Sequence, residues 1–579
     1  MSSFEDEIST RLGKTEWIGV IGSPSSNLQL NVELLETAYQ RGIVGNSCII
    51  EFMQDGRKNY AIGQITSVQL KNPHIERHPI QKIISFRGEA NPLTERHDVR
   101  RIEIGVGVVY SVEGSTLKPS RMGSIPPTGT RVYLLDQDTL DKLMEPYQDE
   151  LFCIGKMYNT NILLPMTFKH FGSGKSGAGE AYHIGVFGKT GSGKSILSIM
   201  IMLAYAKHKN MSIFVLDPQG QFSKEFKKEK MKKVLENKLS RQVEIISLHN
   251  LVLSGYPLFK EILISSGFLM RRCNIIHEDN QTRAANQIET ILKGRISTYS
   301  MKKFKPWEIY KREAFEAVWD ALSTNEQVQR RIYTSPEPRE TMVSVIQSAD
   351  EEEVYNEWRR IANLFAYEGK ENSRIIRNLV EEIFQDEESG RILIIDLSEV
   401  DIPDDIYWNE QMKNVVLGEF LSRLSEQAEK HYKKEKLLNT LVILDEAHRL
   451  APREKTDDEY LERVKNILID GVRTTRKYGL GWMFISQTLS SLHREIINQI
   501  RIFIFGFGLA WGIERQALRE LIGGAEEQFK LYQTFHDPQS SLGEREYPFM
   551  AIGPVSPLSV SGTPLFFTCL LYTSPSPRD

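Results

Sequence analysis

The stretch His183-Ile184-Gly185-Val186-Phe187-Gly188-Lys189-Thr190-Gly191-Ser192-Gly193-Lys194-Ser195 decides the fold. It opens on a short apolar run and closes on the spacing G-x4-GKS, and residues 196–206 behind it are apolar and helix-favouring. Strand, glycine-rich loop, helix is the setting in which such a loop binds phosphate. Phosphate oxygens need several N–H donors close by, and glycine lets the backbone come near enough to supply them. Gly188, Lys189, Thr190, Gly191, Ser192, Gly193, Lys194 and Ser195 are therefore the expected nucleotide-binding residues. Lys194 brings a positive charge to the β- and γ-phosphates, and Ser195 offers a hydroxyl to Mg2+. ATP and Mg2+ are the cofactors implied. A near copy, Gly172-Ser173-Gly174-Lys175-Ser176, has Lys169 where the first glycine should stand and opens no helix, so it reads as a flexible loop.

Outward from this loop, further apolar runs alternate with helix-like segments, at 212–216, 391–395, 441–444, 481–485 and 501–507. Near-continuous Val, Ile, Leu and Phe suits parallel strands covered on both faces. The expectation is an α/β fold with a mostly parallel sheet. Between the runs at 212–216 and 391–395 lie charged, helix-favouring residues, read as an inserted helical subdomain. Before residue 135 the texture differs, with short strand-like segments at 17–21, 48–52, 60–70, 105–112 and 131–135. Turn residues punctuate them, as in a small β-barrel or sandwich. The expected organisation is a β-barrel at 1–150, the start of the ATPase core at 151–220 and a helical insertion at 221–390. The rest of the core and a C-terminal segment follow at 391–565, and a tail, read as either disordered or non-native sequence, at 566–579.

The chain has 579 residues, with 72 Lys plus Arg against 76 Asp plus Glu, a net charge of −4. That excludes a histone-like basic protein and leaves room for a local basic patch. Cys48, Cys153, Cys273 and Cys569 lie far apart with no CxxC pair, which excludes a zinc ribbon and a disulfide framework and fits a reducing compartment. The start of the chain is polar, without a signal peptide. The most apolar stretch, 500–513, contains Arg501 and is too short to span a bilayer. A cytoplasmic protein without a membrane partner is expected.

A second motif stands at Leu441-Val442-Ile443-Leu444-Asp445-Glu446. An apolar strand there delivers two carboxylates at its C-terminal end, where α/β sheets place ligands. Asp445 is expected to hold Mg2+, and Glu446 to act as general base toward the attacking water. Ser486-Gln487 ends the next apolar run, and Gln487 either senses the γ-phosphate and orients water or is a satisfied strand-end amide. Arg473 and Arg476 share one helix face. Either is a candidate arginine supplied to a neighbouring subunit's nucleotide, or a DNA contact, or part of a solvated face. Asp217-Pro218-Gln219-Gly220 either lines the site or turns the chain. Residues 224–241 carry eight basic and three acidic side chains, a net 8 − 3 = +5, and read as a phosphate-tracking stripe or a solvated helix.

Taken together, these motifs resemble the HerA family of DNA-translocating ATPases, in the HerA/FtsK branch of RecA-like motors. The phosphate loop GKTGSGKS at 188–195 matches the family's GxTGSGKS. DEAHR is matched at Asp445 to Arg449, and Arg473-Thr474-Thr475-Arg476-Lys477-Tyr478-Gly479 stands for REGRKYG, followed by Ser486-Gln487. The segment 126–133 looks like the family's N-terminal HAS barrel, and 553–558 like its C-terminal region. Thr474-Thr475 replaces Glu-Gly, and Asp217-Pro218-Gln219-Gly220 stands where the family often has DPHGE, with no acidic residue following. The resemblance implies a RecA-like ATPase core, a homohexameric ring and a double-stranded DNA track. It also implies a partner docked on the barrel, either a NurA-like nuclease or, in antiphage systems, a sirtuin-like NADase or another nuclease. The expected activity is ATP hydrolysis coupled to DNA translocation, in DNA repair or antiviral defence. The rival is an ATP-gated ring that scaffolds an effector; a conjugation-type pump of the same superfamily would more often carry a membrane anchor.

Overall fold

The computed structural model describes residues 4–73, 85–86, 97–113, 116–174, 177–294, 302–370, 372–384, 389–523, 526–540, 545–559 and 562–570. Lys175 and Ser176 of the near-copy loop, and the expected tail beyond residue 570, lie outside them.

The N-terminal part is a β-barrel. Its strands are β1 (Trp17–Ile21), β2 (Gln29–Leu34), β3 (Ser47–Gln54), β4 (Arg57–Lys71), β5 (Val99–Glu113), β6 (Thr116–Ser120) and β7 (Arg131–Leu134). The order β2-β1-β7-β3-β4-β5 closes on itself through pairing of β2 with β5, and β6 adds to β5 outside the ring. All pairs are antiparallel. Closure removes the exposed edges that a short sheet would otherwise present. Alternation puts Leu30, Val32 and Leu34 of β2 inside, with Ile18, Ile50, Ile104 and Val132.

The second sheet holds the remaining long strands. They are β8 (Gly155–Met157), β9 (His183–Phe187), β10 (Ser212–Asp217) and β11 (Val243–Ile246), then, after the small parallel pair β12 (Leu251–Val252) and β13 (Arg374–Ile375), β14 (Ile392–Asp396), β15 (Thr440–Leu444), β16 (Leu480–Ser486), β17 (Ile500–Phe505), β18 (Pro548–Ile552) and β19 (Leu565–Cys569). The order is β11-β14-β10-β15-β16-β9-β17-β18-β19-β8. The first seven run parallel, and the last three are added antiparallel. Strands β9, β10, β14, β15 and β16 are buried along their whole length, because helices cover both faces. This is the expected α/β class, a mostly parallel sheet that carries the phosphate loop, with an N-terminal barrel and a helical subdomain.

Two differences from the sequence reading matter. The segment expected as a purely helical insertion donates β11 to the edge of the main sheet, in register with β14. Its helices, from Tyr256–Ser265 to Ile376–Ile383, pack around Trp358, whose ring meets Phe259, Phe268 and Phe315 at 5.5, 5.7 and 6.0 Å. The stretch 566–569, expected as the start of a tail, belongs to the fold. Phe566, Phe567 and Cys569 are buried in β19, and Gln64 of the barrel bonds both the N–H and the C=O of Phe566 at 2.9 Å. The last strand thus ties the barrel to the ATPase sheet. Among the described residues no helix is long and apolar enough to cross a membrane.

Candidate nucleotide site

Register brings the site together. Ser486 pairs with Phe187, so Gln487 leaves β16 beside Gly188. Leu216 pairs with Leu444, so Asp217 and Asp445 leave neighbouring strands side by side. The phosphate loop, both carboxylates and Gln487 therefore converge at the C-terminal edge of the parallel sheet.

The loop needs glycine at two places. Gly191 and Gly193 have φ of +83° and +87°, and a Cβ on either would collide with Gln539 or with the ring of Tyr547. Gly193 then opens the helix Lys194–Ala206, aiming its free N–H groups at the loop. Lys194 is 9% exposed and its Nζ donates to Lys189 O at 3.1 Å. Burial lowers its pKa, and Glu446 and Asp445 oppose that shift. Thr190 Oγ1 donates to Gln487 Oε1 at 3.0 Å, and Gln487 Nε2 donates to Glu446 Oε1 at 2.6 Å. One amide thus bridges the phosphate loop and the candidate base. His448 Nδ1 lies 3.3 Å from Glu446 Oε2 and 3.2 Å from Ser486 Oγ.

Asp445 is the most perturbed group here. It is 3% exposed; Oδ1 accepts from the N–H of Glu446 at 2.9 Å, while Oδ2 is buried with no hydrogen-bond partner. Burial pushes its pKa up to about 7, helped by Glu446 and Asp217. Glu446 has φ of +51°, a left-handed conformation rare outside glycine, which turns the chain sharply out of β15. A buried carboxylate oxygen without a donor, close enough to Lys194 to feel its charge, is the oxygen chemistry that a hard divalent cation takes.

The arginines are elsewhere. The helix Glu459–Thr474 leads into the N-terminal end of β16, so Arg473 and Arg476 lie about 20 Å of strand away from Gln487. Arg473 pairs with Glu495 at 2.7 Å and Arg476 with Glu180 at 3.6 Å, both half-exposed. Neither enters this chain's own site. Thr475, one of the two departures from the family pattern, is fully buried; it accepts from Trp482 Nε1 at 2.9 Å and donates to Gly471 O at 2.7 Å. In the basic run, seven lysines between 224 and 238 are exposed, but Arg241 is 5% exposed and bonded to backbone carbonyls. Arg241 thus leaves the expected stripe for the core.

Sequence reasoning missed three residues. Ser195 Oγ donates to Gln221 Oε1 at 2.8 Å, so the Asp217 turn joins the site through its next residue. His448 was visible within DEAHR. Glu514 is buried and accepts from the N–H of Leu489 at 2.8 Å and of Ser490 at 3.2 Å, clamping the loop after Gln487. No local pattern marks Glu514.

Comparison with known proteins completes the picture. The family described as "Helicase HerA, central domain" matches residues 181–424. No curated protein matches the chain. Among solved structures, VirB4 of Thermoanaerobacter pseudethanolicus is similar at 14% identity, over 74% of this chain and 97% of that one, with a TM-score of 0.37. The bacterial conjugative coupling protein TrwB is similar at 12% identity, over 67% and 84%, with a TM-score of 0.38. The genome packaging NTPase B204 from Sulfolobus turreted icosahedral virus 2, in complex with AMPPCP, is similar at 10% identity, over 67% and 98%, with a TM-score of 0.27. Residues 181–424 are thus similar to the central domain of the HerA helicase family, and the phosphate loop they hold makes the chain a P-loop ATPase.

Proposed function

We propose that the chain is a Mg2+-ATP-driven translocase of double-stranded DNA, working in the cytoplasm as a homohexameric ring. Its partner is an effector enzyme, a NurA-like nuclease or a sirtuin-like or other nuclease effector, in DNA-end processing or antiphage defence. The observation that carries the reading is the bridge Thr190–Gln487–Glu446 beside the unpartnered oxygen of Asp445, joined to a phosphate loop that lies within the segment, residues 181–424, matched to the HerA central domain.

Each residue has a role in that reading. The loop N–H groups and Lys194 hold the phosphates. Asp445 and Ser195 fit Mg2+ and would hold it. Bound there, Mg2+ neutralises charge that builds on the phosphate oxygens. Glu446 accepts the proton of the attacking water on its carboxylate. Gln487 links that carboxylate to the loop, so occupancy of the loop is felt at the base. Arg473 or Arg476, both placed away from their own site, reaches the nucleotide of the next subunit. The seven exposed lysines offer sequence-independent, salt-sensitive contacts to a phosphate backbone.

The test is ATP hydrolysis by the purified chain with and without linear double-stranded DNA, beside Lys194→Ala. Strong stimulation by DNA that vanishes in the variant is expected. Hydrolysis that needs Lys194 and ignores DNA would overturn the DNA track and leave a ring that gates an effector with ATP.

A further inference from the structure

Resting on the Mg2+-ATP reading above, we infer that Gln221 is the positioning residue for Ser195, fixing the direction of its hydroxyl so that the oxygen's lone pairs are left for the metal. A serine hydroxyl has one proton to give and two lone pairs to offer. In this chain the proton goes to Gln221 Oε1, 2.8 Å away. It does not go to Asp445, whose Oδ2 is buried without a partner. Diverting the proton to Gln221 leaves both oxygens as electron-pair donors only.

Two features hold Gln221 to that task. Its amide is oriented, because Nε2 donates to Gln219 Oε1 at 3.1 Å and so turns the carbonyl toward Ser195. Its backbone is fixed by Asp217, which is fully buried at the end of β10. Asp217 Oδ1 accepts from the N–H of Gln221 at 3.1 Å, and Oδ2 accepts from the N–H and hydroxyl of Ser223 at 2.8 and 2.9 Å. The first turn of the helix Gln221–Phe226 is thereby pinned to the strand beside β15. The Asp217 turn is therefore part of the site, acting through the neutral side chain that follows it.

The experiment is binding of a fluorescent ADP to the full chain, in EDTA and over a Mg2+ series. It compares the wild type with Ser195→Ala, Gln221→Met and Gln221→Glu. Methionine keeps the length of the side chain and removes the acceptor; glutamate keeps an acceptor. Mg2+ is expected to strengthen binding to the wild type, and Ser195→Ala to lose that strengthening. Gln221→Met should reduce it about three- to tenfold, the size of one hydrogen bond. Gln221→Glu should keep it, and affinity in EDTA should be the same for the wild type and the two Gln221 variants. A wild-type Mg2+ response in Gln221→Met, beside a lost response in Ser195→Ala, would overturn the role of Gln221 alone. Weakened binding in EDTA for Gln221→Met would assign Gln221 to holding the loop and overturn it as well. A wild type indifferent to Mg2+ would overturn the metal reading and this role with it.

Discussion

The two edges of the parallel sheet are built on opposite rules. At the amino edge a buried charge is fully satisfied. Arg241 donates to Ala206 O at 3.1 Å, His208 O at 3.0 Å, Met211 O at 2.9 Å and Gly390 O at 2.7 Å. It closes the end of the helix that begins at the phosphate loop and ties it to the starts of β10 and β14. Nearby, a cavity of about 970 Å³ is lined by charges already paired, Arg374 with Glu244 and Arg391 with Glu382. At the carboxyl edge, Asp445, Asp217 and Glu446 crowd together beside one lysine, and a carboxylate oxygen is left over. Satisfied polar groups hold a fold. Unsatisfied buried ones cost stability and persist where a ligand completes them.

Three variants would break or sharpen that contrast. The largest effect is expected from Glu446→Gln, which should cut ATP turnover about 10²–10⁴-fold and leave nucleotide binding intact. Turnover near the wild-type rate would move the general base elsewhere. Next is Arg241→Met at the other edge. It strands several buried carbonyls and should destabilise the chain by about 3 kcal/mol, read as a lower Tm, with no direct effect on the chemistry. An unchanged Tm would mean that the carbonyls find other donors.

The smallest and most diagnostic is Asp445→Asn. Removing a crowded buried charge should stabilise the ligand-free chain by about 1–2 kcal/mol while abolishing the Mg2+ response of nucleotide binding. The sign follows from the pKa. With Asp445 raised to about 7, the folded chain keeps a proton that the unfolded chain gives up near 3.8. Stability from this group is therefore greatest at low pH and is lost as pH rises from about 4 to about 7. Asp445→Asn should remove that slope. A variant less stable than the wild type at pH 7 would show that the carboxylate is not under strain there.

Much of the ATPase core was legible because its signals are contiguous. Strand β9 and the phosphate loop are one unbroken stretch, as are β15 and the two carboxylates, so hydrophobicity and spacing sufficed. Strand β11 was not legible. Val243–Ile246 is four residues long within charged text, and it is a strand only because β14 offers a paired edge. Strand β19 was hidden by its proximity to Ser/Pro-rich sequence, although its own residues are apolar. Arg241 read as the end of a basic run because composition counts charges without saying what faces them.

By itself the sequence determined the class of fold and the chemistry on offer: a phosphate loop after a buried strand, and two acids after another. Those depend on neighbours along the chain. Only the tertiary structure decided which polar groups meet. Ser195 finds Gln221 across 26 positions, Arg241 finds Gly390 across 149, and Thr190 finds Gln487 across 297. A hydrogen bond is set by separation in space, and the parallel register that places Asp217, Asp445 and Gln487 on one edge is a property of the assembled sheet.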